Sequence, residues 1–484
     1  MKILLATAEL HPFSKTGGLA DMVAALGKSL AAAGHDVVMM TPLYRGIRAR
    51  FKEDLHQLDY DIKVPMGTAE AHGGIAELRL KKNLRVLFVD QPAYYDRPAL
   101  YGENNTEYPD NPERYIFFSK AVAHVVRYFG WRPDVVNVHD WQAGLIPVML
   151  KHSALMDGWD APATVLTIHN LAYQGHYSKA RAFDLSNLPM EFFNPAGIEF
   201  YGGVNFLKAA IVYSDAITTV SPRYAREICT EEYGCSLDAV LRERQHRLTG
   251  ILNGVDYDEW NTTKNLHLHN PYSPRNMRGK ALNKLELQHE LGLPPNPGVP
   301  LFGTVTRLAD QKGVDIILGM LEEMLAKDMQ FALLGSGDPE IQTAYKRLEQ
   351  RYPDKVCARI GFDLGLSHRI EAGCDFFLMP SRFEPCGLNQ MYSLRFGTIP
   401  IVRRTGGLDD SVVDPRDDLD LADGIKFNEF SVSALSKAVR KALVVFEHRE
   451  LFDRMRKNGM TVDFSWDRTC GEYERIYRSV AKAI

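Results

Sequence analysis

Short apolar segments alternate with helix-length spacers along almost the whole chain, and this rhythm constrains the fold more than any other feature. Most segments are near-continuous runs of Val, Ile, Leu, Phe and Ala, with little alternation of apolar and polar residues. Such runs are typical of parallel strands buried on both faces by helices. The predicted strands are residues 3–7, 37–41, 86–90, 135–139, 165–169 and 216–220, then 301–306, 331–334, 358–361, 376–379 and 399–402. The sequence therefore predicts an α/β protein with two Rossmann-like, doubly wound domains.

The length and the spacing of the strands divide the chain in two. A chain of 484 residues exceeds what one hydrophobic core usually supports. The polar, proline-bearing stretch 261–300 contains no predicted strand and is expected to join the halves. We assign residues 1–250 to an N-terminal domain and residues 251–464 to the linker and a C-terminal domain. Ligands of such sheets bind outside the carboxyl ends of strands, so we expect the site in the loops after strands, at a central cleft.

Composition excludes several classes of function. The formal net charge is −4, with acidic and basic residues interspersed, so no basic surface for nucleic acid is predicted. No apolar run approaches the roughly 18 residues of a membrane span, and an acidic residue, Glu9, occurs too early for a signal peptide. The six cysteines form no CxxC pair. We expect a cytoplasmic protein with reduced thiols and no membrane partner.

The segment Ser381–Gln390, directly after the predicted strand 376–379, carries the strongest indication of chemistry. Pro385 disfavours helical geometry at Glu384, so this carboxylate is expected in a loop. Cys386, Gly387 and Leu388 follow, and a helix is predicted to begin near Gly387. The backbone N–H groups of a helix start favour an anion. A carboxylate beside an anion cradle suits a sugar attached to a phosphate.

Two further loops after strands carry cations. Lys15, Gly17 and Gly18 follow the first strand and precede a predicted helix over residues 19–34. The glycines allow close approach of backbone amides to an anion, although the spacing matches neither a P-loop nor a dinucleotide fingerprint. In the second half, Arg307 and Lys312 follow the strand 301–306. Both could bind one diphosphate, Arg as a planar fork and Lys as a point charge, but surface cations of this kind are also often merely solvated.

Two strands of the first half end in histidine. Asp140 follows His139, and Asn170 follows His169. Two polar strand ends favour a polar pocket over isolated core histidines, and the absence of a second His or Cys at chelating spacing argues against zinc. Three Asp-x-Asp triplets occur, but none follows a convincing buried strand. We therefore predict no metal and no cofactor.

Taken together, these motifs resemble those of the bacterial glycogen synthase and plant starch synthase family. The resemblance runs from Lys15-Thr-Gly-Gly-Leu19 to Asp463-Phe-Ser-Trp466, nearly the whole chain. It includes the ordered motifs His139–Trp141, His169–Gly175, Asn253–Asp256, Arg307 with Lys312, Ser381–Leu388 and Arg404–Leu408. The resemblance implies a GT-B architecture, and a C-terminal segment, residues 465–484, that returns to the N-terminal domain as a helix.

The family also implies an activity and roles for individual residues. The expected reaction is transfer of glucose, with retention, from ADP-glucose to the non-reducing 4-hydroxyl of an α-1,4-glucan such as glycogen. The implied catalytic set is Lys15, His169, Arg307, Lys312 and Glu384. The implied substrate-binding set adds Gly17, Gly18, Asp140, Asn170, Asn253, Phe362, Cys386, Gly387 and Leu388, with Phe362 expected to cover the adenine.

Other functions fit the residues less well. The same fold with UDP-glucose or another sugar acceptor stays open as an alternative. A nicotinamide dehydrogenase would need G-x-G-x-x-G after its first strand, and residues 8–18 lack it. A glucan-binding scaffold without activity is disfavoured by the intact Lys15, Arg307, Lys312 and Glu384. No pair of carboxylates at hydrolase spacing is visible.

Overall fold

The computed structural model describes residues 1–103 and 106–481. The chain divides into two compact units, each built around its own sheet. The first unit comprises Met1–Val220, Ala225–Gly254 and Trp466–Ile484, and the second comprises Ser221–Tyr224 and Val255–Ser465. We describe the two units one after the other.

Among the residues that the structure describes, the first unit contains a large mixed sheet and two small antiparallel sheets. Its strands are β1 (Lys2–Ala6), β2 (Asp36–Pro42), β3 (Leu55–Met66), β4 (Ala69–Lys81), β5 (Leu84–Asp90), β6 (Gly102–Glu103), β7 (Thr106–Glu107), β8 (Val135–His139), β9 (Ala163–Ile168), β10 (His176–Ser178), β11 (Glu199–Phe200), β12 (Gly203–Asn205), β13 (Ala216–Thr219) and β14 (Leu248–Gly250). Within the described residues the large sheet has the order β14-β13-β9-β8-β1-β2-β5-β4-β3, and the two small sheets are β10-β12-β11 and β6-β7. The strands from β14 to β5 run parallel, whereas β4 and β3 form an antiparallel arm beside β5.

Helices cover the parallel part of this sheet. They are α1 (Gly18–Ala32), α2 (Ile47–Arg50), α3 (Pro92–Tyr95), α4 (Asn111–Tyr128), α5 (Ile146–Asp157), α6 (Lys179–Ser186), α7 (Phe206–Tyr213), α8 (Pro222–Glu227) and α9 (Asp238–Glu243), with α8 lying at the boundary of the units. In α1, Leu19, Val23, Leu26 and Leu30 recur at helical spacing and are all buried, which fixes the face of α1 that packs on the sheet. The core strands β1 and β8 are almost wholly apolar and buried, as expected for strands covered on both faces.

The second unit contains a parallel sheet. Its strands are β15 (Leu301–Val305), β16 (Gln330–Gly335), β17 (Val356–Ile360), β18 (Phe376–Met379), β19 (Ile399–Arg403) and β20 (Ile425–Phe427). In the part of the chain that is described, their order is β17-β16-β15-β18-β19-β20, and every neighbouring pair is parallel. The order reverses beside β15, so the loops after β15 and β18 lie next to each other at the carboxyl edge of the sheet.

The helices of the second unit enclose its apolar core. They are α10 (Arg278–Leu291), α11 (Val314–Met324), α12 (Pro339–Arg351), α13 (Leu364–Gly373), α14 (Asn389–Arg395), α15 (Gly406–Ser411), α16 (Val432–Glu447) and α17 (Arg449–Thr461). Phe302, Phe331 and Phe376 from the strands pack with Phe446 and Phe452 from α16 and α17 in one hydrophobic cluster. This cluster makes the sheet a rigid support for the loops at its edge.

The last helix, α18 (Trp466–Val480), belongs to the first unit. Tyr477 donates a hydrogen bond of 2.7 Å to Asn137 in β8, and Thr469 donates one of 3.0 Å to the carbonyl of Leu252. His35 and Glu474 are joined at 2.6 Å. A Cβ on Gly254 would lie 2.7 Å from the Trp466 ring, so the close approach of α18 requires glycine there.

The predicted strands are all present, and each end agrees with the structure to within two residues. No helix in residues 1–103 and 106–481 is both long and apolar enough to cross a membrane. All six cysteines lie among the described residues, and none forms a disulfide.

Candidate active site

The second unit brings Lys312 and Glu384 together although 72 residues separate them in sequence. Lys312 ends a single 3-10 turn, Asp310–Lys312, in the loop after β15, and Glu384 lies in the loop after β18. Gly313 follows Lys312 with φ +67°, and a Cβ there would lie 2.2 Å from the carbonyl oxygen of Pro380. Glycine therefore allows the first loop to pack directly against the start of the second.

Lys312 and Glu384 form a close ion pair. The Lys312 Nζ lies 2.6 Å from Glu384 Oε2, and the hydroxyl of Ser381 donates to the same oxygen at 3.0 Å. The Glu384 side chain is 7% exposed and that of Lys312 is 20% exposed, so the pair is largely shielded from bulk water. Among the described residues, Glu384 Oε1 has no hydrogen-bond partner, and Lys312 uses one of its three N–H donors.

The backbone around Glu384 is fixed by two glycines of α15. The N–H of Gly407 donates to the carbonyl of Glu384 at 3.1 Å, and a Cβ on Gly406 would lie 2.0 Å from that same carbonyl oxygen. Cys386 is buried, and Gly387 has φ +71°, a conformation that favours glycine. The loop thus turns sharply before α14, which begins after Leu388. The N–H groups of Gly387 and Leu388 have no acceptor in the described parts of the chain.

Arg307 and Phe362 are the exposed members of this constellation. Arg307 follows β15, and no hydrogen bond or ion pair joins its side chain to any described residue. Phe362 follows β17 and Gly361, and it is 88% exposed. An unpaired guanidinium and a bare aromatic ring at the carboxyl edge of one sheet are suited to an anion and a flat apolar group, respectively.

In the first unit, the glycine loop after β1 is held by a carboxylate that the sequence analysis did not assign. Glu9 is buried and accepts from the N–H groups of Thr16 at 2.6 Å and Gly17 at 3.1 Å, and from the hydroxyl of Tyr101 at 2.7 Å. A Cβ on Gly17 or Gly18 would meet nothing within 4 Å, so packing within the protein does not require glycine at either position. Lys15 is half exposed and pairs with Asp21 at 2.7 Å.

Asp140 lies directly after β8 in a strained conformation. Its φ is +56° and its ψ is −172°, a backbone conformation that residues other than glycine rarely adopt. Such strain costs on the order of 1–3 kcal/mol and concentrates at functional sites. The carboxylate is buried and accepts from the N–H of His169 at 2.7 Å. Burial raises the pKa of Asp140 to about 7.

His169 contacts His139 through their ring nitrogens, His139 Nδ1 and His169 Nε2, at 3.0 Å. Burial lowers the pKa of His169 to about 3 and that of His139 well below its usual range, so both rings are neutral at physiological pH. His139 Nε2 is buried with no partner among the described residues. A buried N–H without an acceptor is costly, so we assign the shared proton to His139 Nδ1. His169 then carries its own proton on Nδ1, where it can be donated to a ligand.

Asn170 and Asn253 complete the predicted set in the first unit. Asn170 follows His169 after β9, and its side-chain oxygen accepts from the N–H of Ala172 at 3.1 Å. Asn253 is buried, and its side-chain oxygen has no partner in the described chain. Because β8 and β9 are adjacent parallel strands, Asp140 and Asn170, which follow their ends, lie at the same edge of the sheet.

The structure places most of the predicted residues in two groups, one in each unit, whereas Asn253 and Phe362 follow the edge strands β14 and β17. Lys15, Gly17, Gly18, Asp140, His169 and Asn170 follow the neighbouring strands β1, β8 and β9. Arg307, Lys312 and Glu384 follow the neighbouring strands β15 and β18. No group of three or more His, Cys, Asp or Glu side chains in residues 1–103 and 106–481 could hold a metal ion.

Comparisons with known proteins agree with this architecture. The family described as the starch synthase catalytic domain matches residues 2–243, and that described as glycosyl transferases group 1 matches residues 290–461. The glycogen synthase of Anaeromyxobacter sp. (strain Fw109-5) is 46% identical over 99% of this chain and 100% of its own length. The glycogen synthase of Myxococcus xanthus is 44% identical over 99% of each chain. This chain belongs to the glycogen synthase and starch synthase family.

Two solved structures have the same fold as this chain. The catalytic domain of starch synthase IV from Arabidopsis thaliana, bound to ADP and acarbose, superposes with a TM-score of 0.88 at 34% identity and covers 99% of both chains. The sucrose-phosphate synthase of Thermosynechococcus elongatus has a TM-score of 0.62 at 17% identity, over 99% of this chain and 98% of its own. The chain is therefore a glycosyltransferase of the GT-B fold, as the sequence motifs predicted.

Proposed function

We propose that this protein is a retaining glucosyltransferase that moves glucose from ADP-glucose to the non-reducing 4-hydroxyl of an α-1,4-glucan, extending glycogen. The observation that carries the proposal is the Lys312–Glu384 pair, 2.6 Å apart, in the same loop system as the unpaired Arg307. The assignment to ADP is supported by the starch synthase IV relative, which is bound to ADP and acarbose.

In this proposal the diphosphate of the donor binds at the carboxyl edge of the second sheet. The guanidinium of Arg307 makes no hydrogen bond or ion pair with any described residue, and Lys312 keeps two N–H donors beyond the one that binds Glu384. The N–H groups of Gly387 and Leu388 add neutral donors, and the buried Cys386 precedes them in the same loop. The 88% exposed ring of Phe362 covers the adenine.

The chemical step places opposite charges on the two sides of the breaking bond. Cleavage of the bond between the anomeric carbon and the phosphate oxygen leaves negative charge on ADP and positive character on the sugar. Arg307 and Lys312 stabilise the first charge, and the unpartnered Oε1 of Glu384 faces the second. Lys312 contacts Glu384 and is also proposed to bind the diphosphate. A single ammonium group therefore contacts both the carboxylate that faces the sugar and the phosphate that leaves.

The residues of the first unit bind the transferred glucose and approach the donor phosphate. His169 Nδ1–H donates to a sugar hydroxyl, and Asp140 and Asn170 line the same pocket. Asn253 contributes its unpartnered amide oxygen as an acceptor. Gly17 and Gly18 leave open space where a Cβ would stand, so a ligand can approach their backbone, and Lys15 adds positive charge.

The direct test is incorporation of labelled glucose into glycogen by the purified full chain, with ADP-glucose and UDP-glucose assayed in parallel. We expect incorporation from ADP-glucose, with α-anomeric signals for the new linkages in the NMR spectrum of the product. Transfer from UDP-glucose alone would refute the donor assignment, β-linked product would refute retention, and hydrolysis without chain extension would refute the acceptor.

A further inference from the structure

A pocket of about 410 Å³ lies in the second unit at the edge of the sheet opposite to Arg307, Lys312 and Glu384. Asp375, which lines it, immediately precedes β18, whereas Glu384 follows the same strand. A strand of four residues spans roughly 13 Å, so the pocket and the proposed donor site lie at opposite ends of β18. All residues that line the pocket fall within Val255–Ser465.

Two helices present cations to this pocket. Lys280 and Lys284 are four residues apart on α10 and share one face of that helix. Arg449 and Arg456 are seven residues apart on α17, with Phe452 between them on the same face. The helical spacing therefore directs four cationic side chains and one aromatic ring to a common cavity.

The two lysines contribute little to the charge that a ligand would meet. Lys284 Nζ lies 2.6 Å from Asp375, so these two charges compensate each other. Lys280 is 2% exposed, and its Nζ donates to the carbonyl of Ala372 at 2.9 Å and to the hydroxyl of Thr398 at 2.6 Å, both neutral acceptors. No ion pair joins Lys280 to a carboxylate among the described residues.

Apart from Asp375, the nearby acids add little negative charge to the pocket. Burial raises the pKa of Glu371 to about 8, so this carboxyl is mainly protonated at neutral pH. Asp453 is 3.7 Å from Arg456, beyond hydrogen-bond distance, and its side chain is exposed to solvent. Burial, followed by the charge of Arg456, lowers the pKa of Lys280 well below its usual range, so the charged form of this lysine is disfavoured and the two arginines are the main cations of the pocket.

The two arginines retain unused donors. The Arg449 guanidinium lies 4.0 Å from the ring centroid of Phe446 and makes no hydrogen bond or ion pair with any described residue. Arg456 donates from Nε to the carbonyl of Gly397 at 3.0 Å, which leaves its terminal nitrogens for other partners. The two arginines therefore supply positive charge to the pocket, together with planar donor forks that the protein does not satisfy.

We propose that this pocket binds a small phosphate monoester, with the phosphate at Arg449 and Arg456. A phosphate dianion matches both the positive charge and the fork geometry of a guanidinium. Met277, Pro297 and Phe452 form an apolar wall for the organic part of the ligand. The volume is within the range of sites for small molecules.

The test is calorimetric titration of the full chain with inorganic phosphate and with phenyl phosphate, at constant ionic strength set with chloride, both without ADP and in saturating ADP. ADP occupies the proposed donor site, so binding that persists reports a separate site. We expect one site per chain, tighter for phenyl phosphate because of the apolar wall. Arg449→Gln should weaken binding of both probes about tenfold or more, the effect of losing a charge-assisted contact.

Lys457→Gln is the matched control, because Lys457 is an exposed cation on the same helix that does not line the pocket. It makes the same change in net charge and should leave both affinities unchanged. The proposal is overturned if neither probe binds, if ADP abolishes binding, or if the two variants weaken binding equally. Arg449 is itself exposed, so its replacement is expected to leave the fold intact.

Discussion

Replacement of Glu384 by Gln tests the proposed chemistry most directly, because it removes one charge and keeps the volume. In the structure the carboxylate binds Lys312 at 2.6 Å and Ser381 at 3.0 Å through one oxygen, and the other oxygen is unpartnered. Loss of a preorganised electrostatic group costs about 2.7–4 kcal/mol in the transition state, or roughly 10²- to 10³-fold in kcat. We therefore expect kcat to fall by at least about 10²-fold.

The same variant should affect donor binding in the opposite direction. A neutral amide holds Lys312 less strongly than a carboxylate does, so the ammonium becomes more available to the diphosphate. The affinity for ADP should stay unchanged or increase several-fold. The unfolding free energy should fall by only about 1–2 kcal/mol, because the amide oxygen can still accept from Ser381 and Lys312 and only the charge assistance is lost.

The assay is steady-state glucose incorporation into glycogen, with ADP affinity measured separately by calorimetry. Glu290→Gln is the control, because Glu290 accepts two hydrogen bonds from Arg369, at 2.7 and 2.8 Å, in the same unit but outside the site. It should keep wild-type kcat. A near-wild-type kcat for Glu384→Gln, or a loss confined to KM, would refute the role given to the carboxylate.

Four further predictions address other parts of the site and the fold. Gly17→Ala should leave the unfolding free energy nearly unchanged, because the φ of Gly17 is −152° and an added Cβ would meet no protein atom within 4 Å. The same variant should raise the KM for ADP-glucose, and an unchanged KM would show that no ligand approaches this backbone. Phe362→Ala should raise the KM for ADP-glucose with little change in kcat, and equal effects on kcat and kcat/KM would contradict a role in ground-state binding. Turnover should persist in excess EDTA, since Arg307 and Lys312 are proposed to hold the diphosphate; loss of activity that Mg²⁺ or Mn²⁺ restores would contradict this. Burial raises the pKa of Glu371 from 4.5 to about 8, so between these values the folded state holds a proton that the unfolded state has lost, and the unfolding free energy falls as pH rises. Glu371→Gln should remove the share of this decline that Glu371 contributes, on the order of a few kcal/mol between pH 5 and pH 8 in denaturant titrations, and an unchanged pH slope would contradict it.

The buried parallel strands could be predicted because their sequences are continuous apolar runs. The antiparallel arm was missed for the opposite reason. In β3 buried and exposed positions mostly alternate, and polar residues such as Asp59, Asp61 and Lys63 stand between the apolar ones, so the strand is not a continuous apolar run. The region 261–300 contains the helix α10, which the sequence analysis did not predict. Its buried face includes polar residues such as Lys280 and Asn283, so it lacks an apolar stripe.

The residue types of the candidate site could be predicted from loops that follow strands, whereas their mutual contacts could not. Topology places β15 beside β18, and only this adjacency brings Lys312 to Glu384. From the sequence alone, Lys312 is expected to contact only the phosphate, and Glu9 is only evidence against a signal peptide. An acidic residue just after the first strand was the available signal, but its partner Tyr101 is 92 residues away.

Glu9 and Glu384 are both buried, but their hydrogen bonds suit them to different roles, Glu9 to positioning and Glu384 to reaction. Both oxygens of Glu9 are occupied: Oε1 by the hydroxyls of Thr16 and Tyr101, and Oε2 by the N–H groups of Thr16 and Gly17. Such a carboxylate fixes the glycine loop and has little capacity left for a substrate. Glu384 directs both of its contacts to Oε2 and leaves Oε1 without a partner among the described residues. Because Oε1 is not among the buried atoms that lack a partner, it is open to solvent and a ligand can reach it, so Glu384 is the glutamate suited to face the sugar.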